Sequence, residues 1–319
     1  LAVLLIHTGG TIGMVAAEDG FVPSEGVVEG FAHNRAGRID GLDQLDIVVL
    51  KPLIDSANAT PADWNRIARI IFESHAQYDG FVVTHGTDTM AFTAAALCFA
   101  LGGLSKPVIL TGAMLPLTVE GNDGERNLTD AFAAATTAPA GVWVQFAGRL
   151  LHGARVRKSH SRAFDAFAAD PSDIKPCQQA SALGLHEAGT HSIAVLAVAP
   201  GVSAGVLEYA AETCDGFVLR CYGSGTVPNT PGLRRALEIA GTRRIPVVAV
   251  SQCPEGGLAF GTYASAAILR RHGVIDGRDM TVEAAYAKLA YALARHDEAE
   301  ARRDWLGRSI CGEIGAGDA

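Results

Sequence analysis

Leu1-Ala2-Val3-Leu4-Leu5-Ile6-His7-Thr8-Gly9-Gly10-Thr11-Ile12-Gly13 opens the chain. An apolar run that stops at glycines reads as a strand buried on both faces that feeds a tight loop, where glycines let backbone amides come close to a ligand. The same arrangement returns at Phe81-Val82-Val83-Thr84-His85-Gly86-Thr87-Asp88-Thr89, followed by a helical stretch. Further apolar runs predict strands over Ile47 to Lys51, Val108 to Thr111 and Val142 to Phe146, with longer amphipathic segments between them. Short buried strands alternating with helices predict an α/β fold, with a mostly parallel sheet flanked by helices in a larger N-terminal domain.

The clearest helix signal starts at Thr60, an N-cap residue followed by Pro61 at the first helical position and Asp63 in the first turn. Trp64, Ile67, Ala68, Ile71 and Phe72 then form one apolar face. From Asp170 to Gly189 the chain turns polar and irregular, which places an N-terminal domain at 1–176, a linker at 177–191 and a smaller C-terminal α/β domain at 192–319. In that second part, strands are predicted near Ile193 to Val198, Phe217 to Tyr222 and Val247 to Ser251. Helices are predicted near Ala264 to Arg271 and Val282 to Arg295. The acidic Gly312 to Ala319 tail is expected to be a solvated terminus.

Composition bounds the function. At about 150 residues per domain, 319 residues suggest two domains, and 49% hydrophobic against 19% charged residues excludes a disordered chain. A net charge of −8 repels a phosphate backbone, so nucleic-acid binding is not expected. Six cysteines without C-x-x-C spacing read as reduced thiols of a cytoplasmic protein. The longest uncharged stretch, Ala188 to Leu207, is divided by Pro200, Gly201 and Gly205 into strand, turn and helix, so no membrane span is expected. Leu1 to Ile6 is too short, and lacks the basic lead, for a signal peptide.

Both glycine-threonine motifs fall at strand carboxyl ends, the edge that holds the binding crevice of an open parallel sheet. Thr11 and Thr87, 76 positions apart, can therefore face one small pocket. A threonine hydroxyl is a weak nucleophile at neutral pH, so covalent catalysis needs a base, an orienting group and donors for the oxyanion. Lys158, one of only five lysines, follows Arg155-Val156-Arg157 and could act as base if burial and the arginines favour its neutral form, with Asp88 holding it in place. Taken singly, each of these residues reads equally as turn, cap or surface chemistry.

Together, Thr8-Gly9-Gly10-Thr11-Ile12-Gly13 and His85-Gly86-Thr87-Asp88-Thr89 resemble the paired signatures of bacterial-type L-asparaginases. The similarity extends through Asp55-Ser56-Ala57-Asn58-Ala59-Thr60-Pro61-Ala62-Asp63-Trp64, Tyr78-Asp79-Gly80-Phe81, Lys158-Ser159-His160 with Phe164-Asp165-Ala166-Phe167, and Met280-Thr281-Val282-Glu283-Ala284, segments that look like the cytoplasmic type I branch. The resemblance implies that Thr11 is the nucleophile and that Thr87, Asp88 and Lys158 form the second catalytic group. It also implies that Ser56 and Asp88 hold the substrate's α-carboxylate and α-amino group, assisted by the Asp55 backbone and Thr87. The activity implied is hydrolysis of L-asparagine to L-aspartate and ammonia, without cofactor or metal, by a homodimer or homotetramer.

Two departures from the family pattern bear on that reading. Alignment of the loop after the first motif puts Phe21 where the family has a tyrosine that hydrogen-bonds the nucleophile, and loss of a positioned acid–base group typically costs about 10²- to 10⁴-fold. Glu18, Asp19 and Glu25 are candidate substitutes, and Gly20, Gly26 and Gly30 suit this loop as a lid. Thr226 stands where the family has an asparagine that reaches the neighbouring subunit's site. Arg220 matches an arginine lining an effector pocket in some type I enzymes, but its companion position reads Arg157, so a structural ion pair is the favoured reading there. The alternatives are an enzyme of mixed glutaminase and asparaginase specificity, or a weakly active or non-catalytic amino-acid-binding homologue. Gly201-Val202-Ser203-Ala204-Gly205 satisfies a serine-hydrolase pattern that recurs by accident.

Overall fold

A computed structural model describes residues 1–18, 20–260 and 267–315. They form two compact units, Leu1–His186 and Glu187–Ala319. In the first unit a six-stranded sheet runs in the order Gln44–Ile54, Ala2–Gly9, Gly80–Thr84, Pro107–Thr111, Gly141–Phe146, Arg149–His152. The first five strands are parallel, and the sixth returns antiparallel. Its two-residue link, Ala147 and Gly148, takes φ of 50° and 76°, the left-handed pair that matches the twist of a hairpin. Gly80–Thr84 and Pro107–Thr111 are buried at every position, as central strands covered by helices on both faces must be.

The helix Pro61–Ser74 begins where the cap signal put it, with the Asp63 carboxylate accepting from the Thr60 amide and hydroxyl, each at 2.9 Å. Trp64, Ile67, Ala68 and Ile71 are buried, whereas Phe72 is 36% exposed because it lies about 80° around the helix from Trp64, at the margin of the stripe. The helix Met90–Ala100, directly after the second motif, is buried at every position but Phe92, and its five alanines let it approach its neighbours closely.

In the second unit four parallel strands run Ile193–Ala197, Gly216–Cys221, Val247–Ser251, Ile275–Asp276. Leu207, Phe217, Leu219, Leu233 and Leu237 lie in the core between this sheet and the helices Ala204–Thr213 and Pro231–Arg243. The helix Val282–Arg295 spans the predicted residues, and the helix Ala267–Arg271 is described from its fourth predicted residue onward, Ala264 to Ser265 and Ala266 lying outside the described residues.

The C-terminal segment corrects the sequence expectation. Cys311, Glu313 and Ile314 are fully buried, not solvated; residues 316–319 lie outside the described residues. The cause is Lys288, which the helix Val282–Arg295 carries into the interior, where an ammonium must be paired. Glu313 supplies that pair at 2.6 Å, and the carbonyls of Leu306 and Arg308 accept the ammonium's other hydrogen bonds. Among the described residues no helix is long and apolar enough to cross a membrane.

Candidate active site

Thr11 follows the strand Ala2–Gly9 and Thr87 follows Gly80–Thr84, and those strands are parallel neighbours with His7 opposite Thr84. Both threonines therefore stand on adjacent turns at the sheet's carboxyl edge. The turns touch through glycine. A Cβ on Gly10, whose φ is 89°, would lie 2.5 Å from the Gly86 nitrogen, and a Cβ on Gly86 would lie 2.2 Å from Ser56 Oγ and 3.5 Å from the Gly10 Cα. No other residue fits either position, and the contact draws the Thr11, Ser56 and Thr87 segments to one point. With successive Cα atoms about 3.8 Å apart, the Cα atoms of Thr11 and Thr87 are separated by no more than about 12 Å.

Around the second turn the side chains interlock. Lys158 ends the short strand Val156–Lys158, paired antiparallel with Phe167–Ala169. Its Nζ donates to Thr87 Oγ1 at 2.9 Å and to Asp88 Oδ1 at 2.7 Å, so residues 70 and 71 positions apart form one cluster. Thr87 is 7% exposed, whereas the Asp88 side chain is 65% exposed and leaves its second oxygen open to a ligand. Arg155 and Arg157, which the sequence offered as neighbours of Lys158, instead turn their guanidinium groups to Asp170, at 3.9 and 3.2 Å.

Asp55 closes the short turn Ser56–Asn58 by accepting from the Ala57 amide at 3.1 Å and from Asn58 Nδ2 at 2.8 Å. Ser56, 5% exposed, is held from the far side by Thr89, whose hydroxyl donates to the Ser56 carbonyl at 2.7 Å. His85 is fully enclosed: Nδ1–H donates to the Gly86 carbonyl at 2.8 Å, which leaves Nε2 to accept from Thr93 Oγ1 at 3.0 Å. That pattern fits the neutral imidazole, in keeping with burial, which lowers its pKa. Below the first turn, Asp123 accepts from the amides of Met114 and Leu115 and from Asn127 Nδ2, and the loop so held donates through the Leu117 amide to the Ile12 carbonyl at 3.2 Å.

Thr89, Thr93 and Asp123 are supports that sequence reasoning missed. Thr89 and Thr93 lie within or just beyond the quoted motif. The only local trace of the Asp123 clamp is the four-residue spacing from Asp123 to Asn127.

The proposed lid is a hairpin rather than an irregular loop. Met14–Ala17 pairs with Gly20–Pro23, and Phe21, opposite Ala16, is 46% exposed. Gly26 opens the helix Val27–Ala36 and Gly30 lies within it, so Gly30 is not a hinge of the loop. Glu18 is exposed, and Glu25 pairs with Lys51 at 3.3 Å, on the neighbouring edge strand; Asp19 lies outside the described residues. Arg220 corrects a further expectation: among the described residues no carboxylate pairs with it, and its Nε is buried without a partner. The strands on either side, Ile193–Ala197 and Val247–Ser251, carry no acidic residue that could supply one. Thr226 forms an isolated bridge with Tyr222. Ser203 caps the helix Ala204–Thr213 at φ −63° and ψ 122°, an unstrained conformation unlike that of a nucleophile elbow.

Two family models cover the chain: the one described as Asparaginase, N-terminal matches residues 2–180, and the Glutaminase/Asparaginase C-terminal domain matches 192–306. L-asparaginase 1 of Escherichia coli strain K12 is 36% identical over 98% of both chains, and the L-asparaginase of Thermococcus kodakarensis is 33% identical over 98% of this chain and 99% of its own. The crystal structure of L-asparaginase I from Vibrio cholerae superposes with a TM-score of 0.88 at 33% identity, covering 98% of each chain. The glycine contact between the two threonine turns, the cluster at Lys158 and these full-length likenesses converge: the chain belongs to the asparaginase family.

Proposed function

We propose that this protein hydrolyses the side-chain amide of L-asparagine, with Thr11 as nucleophile and Thr87, Asp88 and Lys158 as the group that moves protons. The observation that carries the reading is the Lys158 Nζ to Thr87 Oγ1 contact of 2.9 Å, beside a turn packed directly against the one bearing Thr11. The α-carboxylate is held by the Ser56 hydroxyl and the amides of the turn that Asp55 closes. The α-ammonium is held by the outward oxygen of Asp88. Thr11 Oγ attacks the amide carbon, the C–N bond breaks, and the hydroxyl proton leaves with ammonia. A water molecule oriented by Thr87 and Lys158 then attacks the ester, returning a proton to Thr11 and releasing L-aspartate, so that one difficult step becomes two easier ones.

Family membership and the E. coli and T. kodakarensis relatives, both L-asparaginases by name, support the substrate. The test is ammonia release from L-asparagine and L-glutamine. Wild type is expected to favour L-asparagine, and Thr11→Ala and Thr87→Ala are each expected to lose about 10²-fold or more. Full activity in both variants would overturn the mechanism. Phe21→Tyr restores a hydroxyl on the hairpin; a large gain in turnover identifies the missing group as limiting.

A further inference from the structure

His7 and Thr84 are fully buried polar residues at the top of an otherwise apolar layer. Alternation along their strands puts them on the same face as Val3, Leu5 and Val82, which belong to one core cluster. They are register partners, and His7 Nδ1 lies 2.7 Å from Thr84 Oγ1. The other ring nitrogen, Nε2, is buried without a hydrogen-bond partner among the described residues. Two aliphatic side chains would fill this position without that desolvation, so packing alone does not account for the pair.

What lies above it does. A Cβ on Gly13 would sit 3.2 Å from both His7 Cε1 and Nε2, so the imidazole is the floor of the Thr11–Gly13 turn. Thr84 is the last residue of its strand and leads through His85 and Gly86 to Thr87. A second bond, from Thr8 Oγ1 to the Thr84 carbonyl at 2.7 Å, ties the same strand ends together.

We infer that the His7–Thr84 hydrogen bond is a positioning device that sets the Thr11 turn against the Thr87 turn. The inference rests on the two-threonine reading above. Neither residue touches the reacting atoms. They act by joining the floor of one turn to the root of the other, and a displacement of about 1 Å between reacting groups can cost about 10²-fold in rate.

Thr84→Val removes the hydroxyl at constant shape, Thr84→Ser restores it, and His7→Leu/Thr84→Val replaces the pair with aliphatic packing. We expect Thr84→Val and the double variant to lose about 10-fold or more in kcat for L-asparagine, with KM within about twofold, and Thr84→Ser to recover most of the loss. Hydrogen exchange at the Gly13 amide, which donates to the Gly10 carbonyl at 3.2 Å, should accelerate in Thr84→Val while amides of the unit Glu187–Ala319 keep their rates. Unchanged kcat in Thr84→Val, or no recovery in Thr84→Ser, overturns the inference. If wild type releases no ammonia the functional reading fails, and the exchange measurement alone decides: unchanged Gly13 protection in Thr84→Val then refutes the positioning role.

Discussion

Lys158 and Lys288 each meet a carboxylate at nearly the same distance, 2.7 and 2.6 Å, and do opposite things with it. Lys288 and Glu313 are wholly buried, and every ammonium proton has an acceptor, in Glu313 and in the Leu306 and Arg308 carbonyls. Glu313 in turn accepts from the Ile310 and Cys311 amides, and the ammonium stands 5.7 Å over the Trp305 ring. That site is closed and saturated, so it holds the C-terminal segment in place and has no capacity left for a ligand. At Lys158 one of the two partners is a hydroxyl, the carboxylate is mostly exposed, and one oxygen of it is open. The proposed role of Lys158 rests on what is left unpaired around its ion pair.

The sharpest way to break this contrast is to remove each ammonium. Lys158→Met should lower kcat for L-asparagine by about 10²- to 10⁴-fold. It should shift unfolding free energy by less than about 1 kcal/mol, because the pair is partly solvated; ammonia release and urea titration measure the two effects. Lys288→Met should leave an uncompensated buried carboxylate and cost about 3–5 kcal/mol in urea titration, with kcat of the folded protein unchanged. Adding Glu313→Gln to that variant should recover part of the loss. A catalytic defect from Lys288→Met, or a large stability defect from Lys158→Met, would erase the distinction.

His85 is the intermediate case, two residues from Thr87 in the chain yet closed like Lys288. Burial holds the pKa of His85, and of His7, below the usual 6.5, so below that value the unfolded chain takes up protons first. Their contribution to stability is complete above about pH 6.5 and is lost as pH falls toward the folded-state values. Stability should therefore decline as pH falls from 6.5 to 5.5, each histidine adding no more than about 1.4 kcal/mol per pH unit, and His85→Gln should flatten the slope. The smallest effect is expected at Ser203, where Ser203→Ala should leave ammonia release unaltered and stability within about 1 kcal/mol.

Features written in consecutive residues were legible. Apolar runs located the five parallel strands of the first unit, and Thr60, Pro61 and Asp63 located a helix start, because strand burial and helix capping act over a few neighbouring positions. The two glycine-threonine motifs drew attention to Thr11, Thr87 and Asp88 because both directly follow such strands. The exposed placement of Phe21 was not legible, since a glycine-rich segment is as compatible with a loop as with the Met14–Ala17 and Gly20–Pro23 hairpin. Neither was the turning of Arg155 and Arg157 toward Asp170, nor the burial of Glu313, because each depends on a partner 13 or more residues away.

By itself the sequence determined the α/β class, the strand ends on which the threonines stand and the family to which those turns point. The first two follow from local patterning of apolar residues, glycine and caps, and the third from the resemblance of the two motifs. Only the tertiary structure decided that Lys158 meets Thr87 and Asp88 while Lys288 is sealed with Glu313, that Gly10 and Gly86 bring two turns into contact, and that His7 lies beneath the Thr11–Gly13 turn. Those outcomes depend on which distant groups share a buried volume and on which of their hydrogen bonds that volume leaves unfilled.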